Sequence, residues 1–307
     1  MADPTPPDQP TPLALAAAVL RCPQHGRDAG AAAAPDQALR LEAGGLVCAA
    51  GHRFDLAAQG YVNLLGRAAP AAADTADMVA ARVEVQAAGF HRALTDTLVD
   101  VVVGALPGVS RPVIVDLGAG TGHHLAAVLD AIDATVGIAI DLSKYAARRA
   151  ARAHPRMAAV VADVWGPLPL GDACAEVVLT VFAPRNRIEV ARILRPGGHL
   201  IVATPDTEHL HPLVERLGLL QVGDDKLDRL DAELDGVATR VDRTVVRSTR
   251  PLDHRLVRAV AGMGPSAHHL DAVELDRRIA TLPDPVEVTQ AVVVSTYRRA
   301  DASRTGS

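Results

Sequence analysis

Apolar and polar positions change their rhythm three times along the chain. From Met78 to Leu106, alanine, valine and leucine are broken by charged residues in a pattern that predicts one or two helices. From Arg111 the texture becomes strands alternating with helices. Residues 111–132, "RPVIVDLGAGTGHHLAAVLDAI", read as a β-branched run, a glycine turn and an amphipathic helix, and residues 134–154, "ATVGIAIDLSKYAARRAARAH", repeat the strand-then-helix order. "MAAVVADVW", "EVVLTVFAP" and "GGHLIVATP" supply three more short apolar strands. Such alternation predicts an α/β fold, a parallel sheet with helices on both faces. Near the end, "TRVDRTVVRSTRP" and "VEVTQAVVVSTYRRA" read as closing strands with a helical stretch between them.

Ahead of this lies different sequence. Residues 1–19 open proline-rich and polar and are expected to be a disordered arm. Residues 20–66 form a compact segment rich in turn residues, residues 67–89 a linker and a helix, residues 90–300 the main domain, and residues 301–307 a disordered tail. The apolar run "LALAAAVL" is too short for a membrane span and has no basic stretch before it, so no signal peptide or membrane partner is expected and the location expected is cytoplasmic.

Composition changes this picture little. A hydrophobic content of 49% in 307 residues supports a sizeable core. A net charge of −5 gives no global pull towards nucleic acid, so a polyanion would have to be held by a local patch. Three cysteines are too few and too odd in number for a disulfide framework.

Chemistry is concentrated in two places. In "VDLGAGTGHH" Asp116 ends the first strand, and Gly118, Gly120 and Gly122 recur at every second position. Glycines let the backbone turn sharply and approach a ligand, while the following helix points free N–H groups at it. A dinucleotide fingerprint is spaced G-x-G-x-x-G without the leading acid. The spacing here suits S-adenosylmethionine, with Asp116 near its cationic methionine end. Asp141 ends the second strand, where a carboxylate can accept both ribose hydroxyls, and Asp163 ends the third, where one can receive the adenine amino group. "ARILRPGGHLIVATP" then supplies a helix, a turn and a strand in an order that resembles class I methyltransferases.

The second place is the pair of short knuckles Cys22-x2-His25 and Cys48-x3-His52. Thiolate with neutral imidazole is the donor set that Zn2+ prefers, and four protein ligands leave no open position, so a structural zinc site is expected.

Taken together, "CPQH", "CAAGHRFDLAAQGYVNLL", "ADTADMVAARVEVQAAGFH", "VDLGAGTGHH", "VFAPRN" and "RPGGHLIVATP" resemble the 23S rRNA (guanine-N1)-methyltransferases of the RlmA type, within them the tylosin-resistance branch. The resemblance runs from about Leu20 to Arg299. It implies a small zinc-ribbon-like domain followed by a class I, Rossmann-like methyltransferase domain, the two clasping a 23S rRNA hairpin, with a homodimer left open as a partner. The family usually has Cys-x2-Cys in its first knuckle, where this chain has His25. Carried over by position, the resemblance adds His91 (usually a tyrosine), His124, Leu125 and His209 as cofactor contacts.

The acceptor it implies is N1 of a guanine, which cannot be reached inside a base pair, so the target is expected in a loop or flipped out. "VFAPRN" ends the fourth strand, where class I enzymes hold the acceptor. Arg185 is expected to meet charge developing on the guanine O6, with Asn186 beside it. Arg53 next to His52, and Arg21, Arg27, Arg40 and Arg67, are candidate phosphate partners, nearly balanced by Asp28, Asp36, Glu42 and Asp55. No general base stands out. Two other classes stay open: a small-molecule methyltransferase, which leaves the zinc module idle, and an inactive RNA-binding protein, against which the intact glycine loop counts.

Overall fold

A computed structural model describes residues 11–25, 37–66, 73–133, 135–223, 225–264 and 271–301. The arm over residues 1–10, the linker over 67–72, the tail over 302–307, and Arg27, Asp28, Asp36 and Arg67 lie outside them.

Residues 11–19 correct the expected disordered arm. Thr11 accepts the Ala14 N–H and opens a helix, Pro12–Ala17 (α1), with Leu13, Ala16 and Ala17 buried. Proline is favourable at this first turn, where its missing N–H would have no partner in any case. Three antiparallel strands follow, Leu39–Glu42 (β1), Gly45–Cys48 (β2) and Arg53–Asp55 (β3), and then Tyr61–Asn63 (β4). The pattern after Met78 becomes two helices, Ala76–Ala87 (α2) and Arg92–Ala105 (α3). The alternating region follows as Val113–Leu117 (β5), His123–Ala131 (α4), Val136–Asp141 (β6), Lys144–Ala150 (α5), Met157–Val161 (β7), Ala175–Val181 (β8), Arg187–Ile193 (α6) and Leu194–Pro205 (β9). Leu213–Leu217 (α7), Lys226–Leu234 (α8), Thr239–Leu252 (β10), His254–Gly262 (α9), Ala272–Ile279 (α10) and Val286–Arg298 (β11) complete the described elements.

The main sheet has the order β10-β11-β9-β8-β5-β6-β7-β4. Strands β5 to β9 are parallel, while β11 runs antiparallel to both β9 and β10. This is a Rossmann-like α/β sheet with a zinc-ribbon-like module ahead of it. The module is not set apart, however. Strand β4 joins β7 in parallel, Tyr61 to Ala159, Val62 to Val160 and Asn63 to Val161, so residues 20–66 supply an edge strand of the larger sheet.

Side chains alternate between the two faces, as the period of a strand requires. Ile138, Ile140, Ala158 and Val160 share one core with Leu13, Leu20, Cys48 and Phe54. Ala139, Ala159 and Val161 share the other with Leu94, Leu98, Leu125 and Leu129. The crossover from β7 to β8 holds no helix, and α1 packs against β6 and β7 on the face it leaves. The seam is tied by the Leu20–Leu170 bridge and by Arg21 N–H to Pro169 C=O at 2.9 Å. Among the described residues, no helix is long and apolar enough to cross a membrane.

Candidate functional site

The three loop glycines all adopt left-handed backbone, with φ of +72° at Gly118, +56° at Gly120 and +77° at Gly122. A Cβ at Gly118 would lie 2.4 Å from the Ala183 Cβ, and one at Gly122 would lie 2.7 Å from the Met157 Sδ. Asp141 then pins the loop: its Oδ2 accepts the Gly120 N–H at 2.8 Å and its Oδ1 the Ser143 N–H at 2.8 Å. Each oxygen retains a lone pair for a further donor such as a hydroxyl. Gly118→Ala is accordingly expected to cost about 1–3 kcal/mol through overpacking and about 1–2 kcal/mol through the backbone conformation. It should also displace the Ala183 loop. Thermal unfolding and cofactor calorimetry check this, and wild-type values in both would overturn it.

Asp116 is buried beside the loop, and its Oδ1 has no hydrogen-bond partner. Burial, and then the neighbouring Asp141 carboxylate, push its carboxyl up to about 7. An unpartnered carboxylate in such a place is costly unless a donor or cation arrives. Asp163 follows β7 and accepts the Trp165 N–H at 3.0 Å.

Rings from separate segments gather near the loop. His91 sits at the start of α3 and its Nδ1 accepts from Gln290 Nε2 in β11. Its ring centroid is 6.0 Å from that of His124 and 6.2 Å from that of Phe182, which is 5.4 Å from His209. The Thr95 hydroxyl donates to the His91 carbonyl, so it accepts from His124 Nδ1, 2.9 Å away. Burial is the first cause that lowers all three histidines, His91 to about 3, His209 to about 4 and His124 well below its usual value. At neutral pH they are uncharged and do not repel a cationic ligand. The expected contacts His91, His124 and His209 are thus brought together, whereas the Leu125 side chain belongs to the core against the sheet.

Several partners escape sequence reasoning. Phe182 has φ of +53°, and Gln290 arrives from the last strand. Arg82 extends from α2 to Asp74 Oδ2 at 2.5 Å and Met263 C=O at 2.8 Å, and a Cβ on Gly120 would come within 3.0 Å of its Nη1. The segment containing Arg82 was legible as a family block, but the direction of its side chain was not.

Arg185 is mostly buried and pairs with Glu233 at 2.9 Å, while its Nε is buried without a partner. The Asn186 amide is committed to the chain itself. Its Oδ1 caps α6 through the Ile188 and Glu189 N–H groups, and its Nδ2 donates to the Trp165 carbonyl at 3.0 Å. Arg53 is paired with Asp55 at 3.2 Å and Arg40 with Glu42 at 2.8 Å, both at the surface, and Arg21 donates to the Ala18 and Leu20 carbonyls. Exposed pairs of this kind are weak enough to exchange for phosphate.

The second centre assembles Cys22, His25, Cys48 and His52, whose donor atoms all lie within 4.8 Å of one another. Cys22 Sγ and Cys48 Sγ are each 3.5 Å from His52 Nδ1, and His25 Nε2 is 3.4 Å from Cys48 Sγ. The β2–β3 turn that carries two of these ligands passes through Gly51 at φ of +85°. Burial pushes the Cys48 thiol up, but hydrogen bonds from His25 and from the backbone at His52 and Ala50 outweigh it and bring the group down to about 6.

Comparison with known proteins separates the same two parts. Residues 35–67 match the RlmA N-terminal zinc-ribbon family, and residues 114–198 match a methyltransferase domain family. The chain is 48% identical to a proposed 23S rRNA (guanine-N(1)-)-methyltransferase of Micromonospora griseorubida, over 91% of this chain and 97% of that one. It is also 48% identical to the 23S rRNA (guanine(748)-N(1))-methyltransferase of Streptomyces fradiae, over 91% and 96%. A Bacillus subtilis (strain 168) protein proposed to have guanine-N(1) activity on 23S rRNA is 34% identical over 54% of this chain and 60% of its own length.

Proposed function

The chain belongs to the family of 23S rRNA (guanine-N(1)-)-methyltransferases, and from that premise we propose that it transfers a methyl group from S-adenosylmethionine to N1 of a guanine in a hairpin loop of 23S rRNA. The observation that carries this reading is a glycine loop held by Asp141, within a chain that matches such enzymes along nearly their whole length. A metabolite methyltransferase has no use for the Cys/His module, and an inactive RNA-binding protein has none for the pocket.

S-adenosylmethionine supplies an electrophilic methyl group on a sulfonium centre. The chain's residues hold and orient it. In this reading Asp141 would accept the ribose hydroxyls and Asp163 the adenine amino group, while Asp116 would meet the cationic amino-acid end. Arg82, beside Gly120 and paired with Asp74, would exchange that partner for the ligand's carboxylate. The neutral rings of His91, His124 and His209 would line the site without opposing the ligand's charge. Arg185 is poised to meet negative charge on the guanine O6 with the donors not spent on Glu233. Most of the catalytic effect in such an arrangement is positioning. Labelled cofactor with unmodified 23S rRNA, followed by primer extension, tests the reading: a guanine-specific stop is expected, and label appearing only in small molecules would reject it. A resistance role predicts greater tolerance of tylosin-like macrolides in a sensitive host expressing the chain.

Asp116 adds a pH signature. Its folded pKa lies above the ordinary carboxylate value. In the free chain, stability is therefore fully present below that ordinary value and is lost as pH rises through about 7. A cationic ligand favours the carboxylate, so binding below that pH should release a proton. Affinity should fall by up to about tenfold per pH unit as pH drops. Calorimetry in buffers of different ionisation enthalpy measures the proton directly, and pH-independent affinity between pH 5.5 and 8, on the order of one constant value, would refute the assignment.

For the second centre we infer a structural Zn2+ held by Cys22 Sγ, His25 Nε2, Cys48 Sγ and His52 Nδ1. Bonds of about 2.3 Å to sulfur and about 2.0–2.1 Å to nitrogen make the S···N edges of a tetrahedron about 3.5 Å long. The observed edges are 3.4 and 3.5 Å. Histidine at position 25 thus brings a nitrogen donor within 3.4 Å of Cys48 Sγ, an edge that suits this donor set.

A further inference from the structure

Trp165 is the chain's one tryptophan, and it is 66% exposed. A single exposed apolar side chain is ordinary on any protein surface. What distinguishes Trp165 is the way its backbone is fixed. Its N–H is held by Asp163 Oδ1 and its carbonyl by Asn186 Nδ2, each at 3.0 Å. These two side chains come from the ends of β7 and β8, which β5 and β6 separate in the sheet. The same crossover then reaches the metal module, where Pro169 and Leu170 pair with Arg21 and Leu20, next to the ligand Cys22. Trp165 therefore stands where the adenine carboxylate, the acceptor loop at Arg185 and the root of the metal module converge.

Resting on the reading that the substrate is an RNA hairpin, we propose that Trp165 is a stacking platform for an unpaired nucleobase next to the target guanine. A guanine whose N1 is to attack the methyl group must leave its pairing and stacking, and the bases beside it lose a stacking neighbour. Proteins that hold such bases stack them on aromatic side chains, which accept any base because every base has a π-face. Clamping the backbone reduces the entropy lost when the indole is immobilised. Asn186 then has a defined task. It contributes to the acceptor side by holding the platform and by capping α6.

With one tryptophan in the chain, indole emission reports on this side chain alone. The probe is the full chain with the 23S rRNA hairpin in which primer extension places the methylated guanine. Addition of the hairpin should quench the emission, and addition of S-adenosylhomocysteine alone should not. Trp165→Ala should weaken hairpin binding roughly 5- to 150-fold, Trp165→Phe should keep most of it, and both variants should bind cofactor as the wild type does. Unchanged emission at saturating hairpin, wild-type hairpin affinity in Trp165→Ala, or quenching by the cofactor alone would overturn the platform. If the wild-type chain yields no guanine-N1 stop, the rRNA reading fails and the platform falls with it. If the wild type methylates and Trp165→Ala binds and methylates equally well, the platform alone fails.

Discussion

Removing the proposed Zn2+, by a strong chelator or through Cys48→Ser, is expected to lower the melting temperature of the full chain by roughly 6–20 °C. Structural Zn2+ contributes about 10–16 kcal/mol in small zinc-finger peptides at neutral pH. Even if only about 3–5 kcal/mol of that reaches global unfolding, each kcal/mol moves a domain of this class by about 2–4 °C. The coupling is physical: Cys48 and Cys22 are buried in the same core as Leu13, Leu20, Ile138 and Val160, so the ligands cannot relax without disturbing the sheet face. Elemental analysis should give one zinc per chain, and calorimetry with and without chelator should show the shift. Cys174→Ser is the control, because Cys174 lies outside the cluster, its thiol pushed up to about 11 first by burial. A chelated chain that melts with the untreated one would remove the metal from the account.

A chain beginning at Asp74 is expected not to fold. It loses Leu13, Leu20, Val62 and Leu64, each 5% exposed or less. At about 1.5–3 kcal/mol for each large apolar side chain, their burial contributes roughly 6–12 kcal/mol. A domain's whole margin is only about 5–15 kcal/mol. The deletion also bares the hydrogen-bonding edge of β7, an invitation to aggregate. Soluble expression and far-ultraviolet circular dichroism decide the matter, and a folded, cofactor-binding product would show that the module is separable after all. The boundary near residue 66, which the two family matches also separate, is therefore not expected to mark an independently folding unit: Tyr61–Asn63 finds its partner nearly a hundred residues later, in β7.

Some features were legible because they are written locally. Strand and helix periods, three glycines that accept left-handed backbone, carboxylates at strand ends and two Cys/His spacings all depend on neighbours within a few residues. The fold class, the loop residues Gly118, Gly120 and Gly122, and the assembly of Cys22, His25, Cys48 and His52 follow from them. Other features depend on packing between distant segments. "LALAAAVL" has no local mark that separates a loose arm from a core helix, and α1 forms because the β7–β8 crossover leaves a sheet face to cover. Likewise, no local pattern brings His91, Phe182, His209 and Gln290 into one cluster, turns Arg82 towards Gly120, pairs Arg185 with Glu233, or sets Asn186 to hold Trp165. By itself the sequence determined backbone conformation, periodicity and donor chemistry, which are properties of short stretches. Only the tertiary structure decided which surfaces are covered and which side chains meet, because those depend on strand register and packing summed over the whole chain.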